Sequence, residues 1–208
     1  MGRFGDIERL ISISVIKRRF SYESKIHCST YARMRKEIMD KLIREAKRGN
    51  AEAFTELIQM QTQSMYKASR AILHNDEDVA DAISETILTC WEKMGQLRQD
   101  KYFRTWLIRI LINKSNDILR KREDLFYTNE MPEIPATDNN FENVEWKEAL
   151  NSLSERYRLV IMLYYVEGFK TSEISQILDM PESTVRTRLA RGRERLGSMY
   201  DFERRETV

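Results

Sequence analysis

The sequence contains few of the residues that form tight turns. Its 208 residues include only seven glycines and three prolines, well below average usage. A β-sandwich or a doubly wound α/β sheet needs many more turn positions, because each strand must be followed by a connection. The scarcity therefore argues against both classes and predicts an all-α fold.

Cysteines and long apolar runs are also scarce. Two cysteines, Cys28 and Cys90, exclude a disulfide-dense secreted scaffold. No apolar run reaches 18 residues, so no membrane-spanning segment is predicted. A short apolar stretch near the N-terminus resembles a signal peptide, but Lys17–Arg19 stand where a small-residue cleavage site belongs. We therefore predict a cytosolic protein with reduced thiols.

Charge along the chain is segregated into blocks, although the net charge is only +2. Residues 1–36 carry nine lysines and arginines against three acids, and residues 101–122 carry seven against one. Residues 76–100 carry seven acids against two bases, and residues 123–142 carry six acids and no base. This alternation suggests several partners with different charge preferences, although any single block could be a solvated helix face.

The spacing of apolar residues predicts a first helical domain over residues 34–122. Residues 1–33 carry a mixed pattern, so we expect a loosely ordered extension or a natural start at Met34. The domain is predicted to hold four helices: one ending near Gly49, one from about Ala53 to Leu73, one after the capped turn at Asn75, and one beginning at Phe103.

A change in composition at residue 123 predicts a flexible linker. Residues 123–142 hold two of the three prolines and six acids, a composition typical of a tether. Fully extended, 20 residues reach roughly 70 Å, so the two domains could occupy separate sites on one large partner. A second helical domain is predicted over residues 143–197, followed by a tail over 198–208.

Residues 171–196 have the pattern of a helix-turn-helix. A short helix capped by Thr171 is followed by a turn at Asp179 and by a longer helix from Pro181 to about Leu196. At about 100° per residue, one face of the longer helix is apolar and should be buried: Val185, Leu189, Gly192 and Leu196. The opposite face is polar: Arg186, Thr187, Ala190, Arg191 and Glu194.

That polar face suits the reading of duplex DNA. Arginine can hold a guanine edge through two hydrogen bonds, and flanking arginines can bind phosphates. A small residue such as Ala190 lets the helix approach the bases closely. The alternative is an ordinary amphipathic helix with a hydrated basic face.

Taken together, these segments resemble those of the extracytoplasmic-function sigma factors, a bacterial family. The resemblance covers about residues 37–197. The motifs that carry it are Asp81–Leu88 with Trp91, Phe103–Ile110 with Asn113 and Leu119–Arg122, Leu153–Arg158, Glu173-Ile174 and Thr184–Leu189. The sequence departs from the family at Ser154, where a proline is usual, and at Asp179 and Ser183, where glycines are usual.

The resemblance implies that the protein binds core RNA polymerase, promoter DNA and an anti-sigma factor that is often membrane-bound. It implies no cofactor, no metal and no small-molecule substrate. Asp81 and Glu85, one helical turn apart, are expected to dock on the polymerase. A basic surface and a pocket for an unstacked base are expected to open the −10 element: Tyr102, Arg109, Asn113, Lys114, Arg120, Lys121 and Arg122. The −35 element is expected to be bound by Ser183, Thr184, Arg186, Thr187, Ala190, Arg191 and Arg193.

Among the aromatic residues, Trp91, Phe103 and Trp106 are predicted to be core, and Tyr102 is the better candidate for stacking on a base. Two other functions stay open. A metal-dependent nucleotide hydrolase could gather Mg²⁺ with Glu52, Glu56, Asp78, Asp81 and Glu85. A dimeric helix-turn-helix regulator would bind duplex DNA unaided.

Overall fold

The computed structural model describes residues 28–126, 150 and 152–206. The chain divides into two compact units, residues 1–42 and 43–208. The described residues are helical and include no strand, which confirms the predicted all-α fold. The helices are α1 (Cys28–Lys47), α2 (Ala51–Gln59), α3 (Thr62–Arg70), α4 (Asp76–Lys93), α5 (Phe103–Phe126), α6 (Glu155–Ile161), α7 (Thr171–Leu178) and α8 (Glu182–Glu206). Within these ranges, no helix has both the length and the apolar character needed to cross a bilayer.

The smaller unit is described only from Cys28, where α1 begins. The sequence pattern placed the start of helical structure after Met34, so that prediction was too late. A helix that is already nucleated extends by one hydrogen bond for each residue added, and it can therefore run upstream of its first apolar contact. Residues 1–27 of the predicted extension lie outside the described residues.

α2 and α3 replace the single helix predicted from Ala53 to Leu73, so that prediction was wrong. The chain tightens at the end of α2, where the N–H of Gln61 donates to the carbonyl of Ile58 at 2.8 Å. The break is invisible in the sequence, because Ile58 and Met65 are seven residues apart and both are buried, as in one continuous helix.

The core of the larger unit lies where α3, α4 and α5 pack together. Met65, Ala82, Leu107 and Leu111 are fully buried there. The turn before α4 is capped as predicted, since the Asn75 side chain accepts from the N–H of Asp78 at 2.7 Å. This packing fixes α5, which is 24 residues long and carries most of the basic residues expected to bind DNA.

Cys90 is fully buried in this core, and burial raises the pKa of its thiol to about 12. The thiolate is the reactive form, so we expect almost no alkylation of native Cys90 at pH 8. In the Cys28→Ser variant, which has Cys90 as its single cysteine, intact mass after iodoacetamide should show no adduct until denaturant is added. Rapid labelling of the native variant would contradict the buried placement.

The second helical group comprises Leu150 and residues 152–206. α6 continues into a π-helical turn, Met162–Val166, and the chain then reverses at Gly168, whose φ is +72°. Residues 143–149 and 151 of the predicted second domain lie outside the described residues. Two predicted boundaries were wrong: the N-cap of α7 is Lys170 rather than Thr171, and α8 ends at Glu206 rather than near Leu196.

Candidate nucleic-acid interface

α8 presents the two faces that the sequence predicted. Val185, Leu189, Gly192 and Leu196 are buried. Gly192 lies so close to α6 that a Cβ there would stand 3.0 Å from Cγ1 of Ile161, which explains why a residue without a side chain occupies this position. The polar face is exposed to solvent: Arg186, Thr187, Ala190, Arg191 and Glu194. The helix can therefore rest on the domain while its arginine row faces a duplex.

The turn before α8 has the geometry of a helix-turn-helix. Asp179 ends α7 in the left-handed region, with φ +52° and ψ +49°. Aspartate tolerates this region better than most residues with a side chain, which explains how the chain turns without the usual glycine. The hydroxyl of Ser175 donates to the carbonyl of Met180 at 2.6 Å and closes the turn.

Glu182, in the first turn of α8, joins the two helices of this motif. Its carboxylate accepts from the Thr171 hydroxyl at 2.5 Å and from the Arg186 guanidinium at 2.8 Å. These hydrogen bonds hold the pKa of Glu182 below its usual range, and the bond from Thr171 has the largest effect. The family motifs do not single out Glu182, although its four-residue spacing to Arg186 is a recognisable signal in the sequence. Glu182 orients an arginine that is expected to read bases.

Arg191 and Arg195 lie beside Tyr157 of α6. The Arg195 guanidinium stands 4.7 Å from the Tyr157 ring centroid. Burial raises the pKa of the Tyr157 hydroxyl, but a hydrogen bond with Arg191 and the positive charges of Arg156 and Arg195 outweigh it, so the pKa is lowered. Arg191 is therefore engaged with α6 as well as exposed on the polar face of α8.

The other residues expected at the −35 element are accessible to varying degrees. Ser183 and Arg193 are exposed and Thr184 is half-buried. The Thr187 hydroxyl donates to the Ser183 carbonyl at 2.9 Å, so it is engaged within the helix. Ala190 is exposed. All seven residues belong to one helix, and its exposed side offers most of them to a single partner.

α5 carries the residues expected at the −10 element along its exposed side. Arg109, Asn113, Arg120 and Lys121 are exposed, and Tyr102 lies just before the helix with 39% of its surface accessible. Phe103 is fully buried, as expected of a core residue, whereas Trp106, also predicted to be core, is only half-buried. Tyr102 is thus the aromatic of this segment that an unstacked base could reach.

Arg120 stands 3.7 Å from Asp117, three residues before it, and three further cations of this segment are paired with carboxylates that are distant in the sequence. Arg122 lies 2.7 Å from the buried carboxylate of Asp78, and Lys114 lies 3.0 Å from Glu85. Arg109 stands 3.8 Å from Asp179 in the turn before α8. The sequence pattern does not reveal the pairs of Arg122, Lys114 and Arg109, since their members are 29 to 70 residues apart. The Asp78 contact gives Arg122 a structural task in addition to the expected contact with phosphate.

α4 presents an exposed stripe that combines acids with apolar side chains. Asp81 and Glu85 are exposed, as predicted. Leu88 is 60% exposed and Trp91 is 37% exposed, so the prediction that Trp91 is core was wrong. Its indole packs on Phe54 from one side, with ring centroids 4.9 Å apart, and α4 turns the other side to solvent. Carboxylates beside exposed apolar groups are typical of a surface that binds another protein.

The five carboxylates of the possible hydrolase do not form a metal site. Asp78 and Glu85 are already paired with Arg122 and Lys114. Across residues 34–122 and the described part of the second helical group, no three His, Cys, Asp or Glu side chains are placed to hold a metal ion. The spatial arrangement therefore gives the hydrolase alternative no support.

Comparison with known proteins matches both helical groups to one kind of protein. Residues 57–124 match the family model "Sigma-70 region 2", and residues 144–196 match "Sigma-70, region 4". Among curated relatives, the extracytoplasmic-function RNA polymerase sigma factor SigW of Bacillus subtilis is 26% identical over 178 residues, covering 76% of this chain and 95% of the relative. The chain belongs to the extracytoplasmic-function sigma factor family.

Two further similarities agree with membership in this sigma factor family. The RNA polymerase sigma factor CnrH of Cupriavidus metallidurans is 26% identical over 179 residues, covering 78% of this chain and 94% of CnrH. The solved structure of CnrH in complex with the cytosolic domain of CnrY matches with a TM-score of 0.60 and 25% identity, over 79% of this chain and 97% of that one. The fold and the order of the two sigma regions are therefore shared along nearly the whole length of these relatives.

Proposed function

We propose that this sigma factor binds core RNA polymerase and directs it to promoters through a −10 and a −35 element. The observation that carries the proposal is the helix-turn-helix with an exposed arginine face on α8. The same chain also carries the basic helix α5 and the helix α4, whose exposed stripe combines acids with apolar side chains. A stand-alone regulator would need only the first of these surfaces.

The experiment that tests the proposal is transcription with purified components. The chain is mixed with core RNA polymerase from the same organism and with fragmented genomic DNA, and the 5′ ends of the transcripts are mapped. We expect co-elution of the chain with the core enzyme and a set of start sites absent from core enzyme alone. A chain that binds duplex DNA tightly but never co-elutes would favour the stand-alone regulator.

An anti-sigma factor is the second partner we propose. Support comes from relatives: CnrH was solved in complex with the cytosolic domain of CnrY, and a sigma factor RpoE was solved in complex with the anti-sigma factor NepR. The exposed stripe of α4 is one surface that such a partner would compete for, because occupying it would block docking on the polymerase.

Within the −35 contact, we propose different roles for two arginines of α8. Arg186 lies on the exposed face and is oriented by Glu182, so it is assigned to a base edge, while Arg193 is assigned to a phosphate. We expect Arg186→Ala to cost about 1–3 kcal/mol at the preferred site and to relax the sequence preference. Arg193→Ala should weaken all duplexes nearly equally.

Selection of bound sequences from a randomised duplex pool by the holoenzyme, with parent and variant chains, measures both effects. The two variants differ from the parent by the same single charge, so each controls for the electrostatic loss in the other. Identical sequence preferences for the two variants would show that the roles are assigned wrongly.

A further inference from the structure

Residues 94–102 connect α4 to α5 and present Tyr102, the aromatic expected to stack on an unstacked base; we call them the connecting segment. The segment ends in a short 3-10 turn, Asp100–Tyr102. Leu97 and Phe103, on either side of that turn, are buried, whereas Tyr102 keeps 39% of its surface accessible. A single 3-10 turn has few hydrogen bonds of its own, and their geometry is poor. The orientation of Tyr102 therefore depends on what holds the turn from outside.

An ion pair ties this turn to the end of α1. The ammonium of Lys47 donates to a carboxylate oxygen of Asp100 at 2.6 Å. Lys47 is the last residue of α1, lies in the larger unit and stands 53 residues before its partner. The two side chains are only 24% and 29% exposed. Because partly buried pairs are screened by salt less than exposed pairs are, this contact holds the turn more firmly than a surface pair would.

The backbone carries this restraint from Asp100 to the tyrosine ring. The N–H of Phe103 donates to the carbonyl of Asp100, and the N–H of Tyr102 donates to the carbonyl of Gln99 at 3.1 Å. The ammonium of Lys101 lies 4.7 Å from the centroid of the Tyr102 ring, a cation–π contact that restrains the ring itself. A ring that is already ordered costs less conformational entropy when a base stacks on it.

We propose that Lys47 and Asp100 are positioning residues for the −10 contact, because their ion pair orients Tyr102 before a base stacks on it. Neither side chain is assigned to the nucleic acid itself. The inference deepens the proposed function and rests on it, since the ligand is the unpaired strand of a −10 element. The end of α1 thereby contributes to promoter reading although no DNA contact is expected there.

Opposite changes of charge separate positioning from a general electrostatic effect. Lys47→Met removes a positive charge, and Asp100→Asn removes a negative one. If these residues acted only through their charge, the first variant would weaken binding of nucleic acid and the second would strengthen it. If the pair orients Tyr102, both variants lose the same base preference, because either change removes the ion pair.

The test uses holoenzyme assembled from the full-length chain and core RNA polymerase of the same organism. It is offered a randomised pool of single-stranded DNA, and the bound sequences are counted. Comparison of the parent with Tyr102→Ala identifies the position whose base preference depends on the ring. Fluorine NMR of the free chain labelled with 3-fluorotyrosine, with Tyr102→Phe to assign the resonance, reports the ring orientation without DNA.

We expect Lys47→Met and Asp100→Asn each to reduce the preference at the Tyr102-dependent position about five-fold, which is part of what one stacked base contributes. Both should also move the Tyr102 fluorine resonance toward its position in the denatured chain. Asp100→Glu keeps the charge and should retain part of the preference. The exchange Lys47→Asp with Asp100→Lys should restore part of it.

The chain offers a matched control pair at the same end of α1. Arg48 and Glu45 form an ion pair at 2.9 Å, so Arg48→Met and Glu45→Gln make the same two charge changes within two residues of Lys47. Because this pair joins residues three apart in the sequence and not α1 to the connecting segment, we expect neither variant to alter the preference or the Tyr102 resonance.

Opposite effects of Lys47→Met and Asp100→Asn on binding, with the base preference unchanged, would overturn the inference and leave only a charge effect. An unmoved Tyr102 resonance in both variants would overturn it as well. If circular dichroism shows that a single variant is unfolded, Asp100→Glu and the charge exchange decide the result. A parent holoenzyme without a Tyr102-dependent position would also overturn the inference, whereas the transcription assay tests the proposed function independently.

Discussion

Reversing the charge of both Asp81 and Glu85 should reduce the affinity for core RNA polymerase at least about 100-fold. The two carboxylates are exposed one turn apart on α4, beside the accessible Leu88 and Trp91. Charged groups at the centre of an interface cost about 2–5 kcal/mol when their partner is left unpaired, and a reversed charge adds repulsion. Fluorescence anisotropy of a labelled chain titrated with core enzyme measures the loss.

The chain offers a matched control for this variant. Glu52 and Glu56 are also exposed carboxylates one helical turn apart, on α2, so the Glu52→Lys/Glu56→Lys variant changes the net charge by the same amount. We expect its affinity for core enzyme to stay within about three-fold of the parent, because rim or remote charges act mainly on the association rate. Equal losses in the two double variants would mean that overall charge, and not the α4 stripe, decides binding.

Replacing Asp78 by alanine should lower the free energy of unfolding by about 2–4 kcal/mol. The Asp78 carboxylate is buried, lies 2.7 Å from the Arg122 guanidinium, and accepts from the side-chain amide of Asn75 at 2.7 Å. Losing one partner of a buried pair costs about 3–5 kcal/mol, and the one-third exposure of Arg122 reduces the cost because water can solvate the remaining charge. Urea denaturation followed by circular dichroism measures the change.

Asp81→Ala is the control, since Asp81 lies three residues further along α4 and is exposed. Its effect on stability should stay within about 0.5 kcal/mol. A double-mutant cycle that combines Asp78→Ala with Arg122→Ala measures the contribution of the Asp78–Arg122 pair to stability separately from that of the Asp78–Asn75 contact. If Asp78→Ala and Asp81→Ala are equally mild, the Asp78–Arg122 pair does not anchor α5 to the start of α4.

The successful predictions share a local cause. Helical periodicity depends on neighbouring residues, so the buried face of α8 and its exposed arginines could be read from the spacing of Val185, Leu189 and Leu196. The cap at Asn75 was readable for the same reason, because its partner is three residues away. The family motifs also predicted the order of the two domains, and the matches to the two sigma-70 family models confirm it.

The errors share a cause of a different kind. The break between α2 and α3 keeps the apolar spacing, so periodicity does not record it. Trp91 lies at a helical position suited to a core residue, yet the packing of α4 leaves it at the rim against Phe54. Which side of an aromatic residue is covered depends on a neighbouring helix, and a one-dimensional pattern does not contain that neighbour.

The sequence by itself determined that this protein is helical, that its second half carries a DNA-reading motif, and that its charges are divided among several surfaces. Only the tertiary structure decided which of those charges meet. Glu167 and Arg104 are 63 residues apart, and Asp78 and Arg122 are brought together by the packing of α4 on α5. The physical reason is that secondary structure follows from interactions within a few residues, whereas ion pairing depends on distances in space that arise when helices pack.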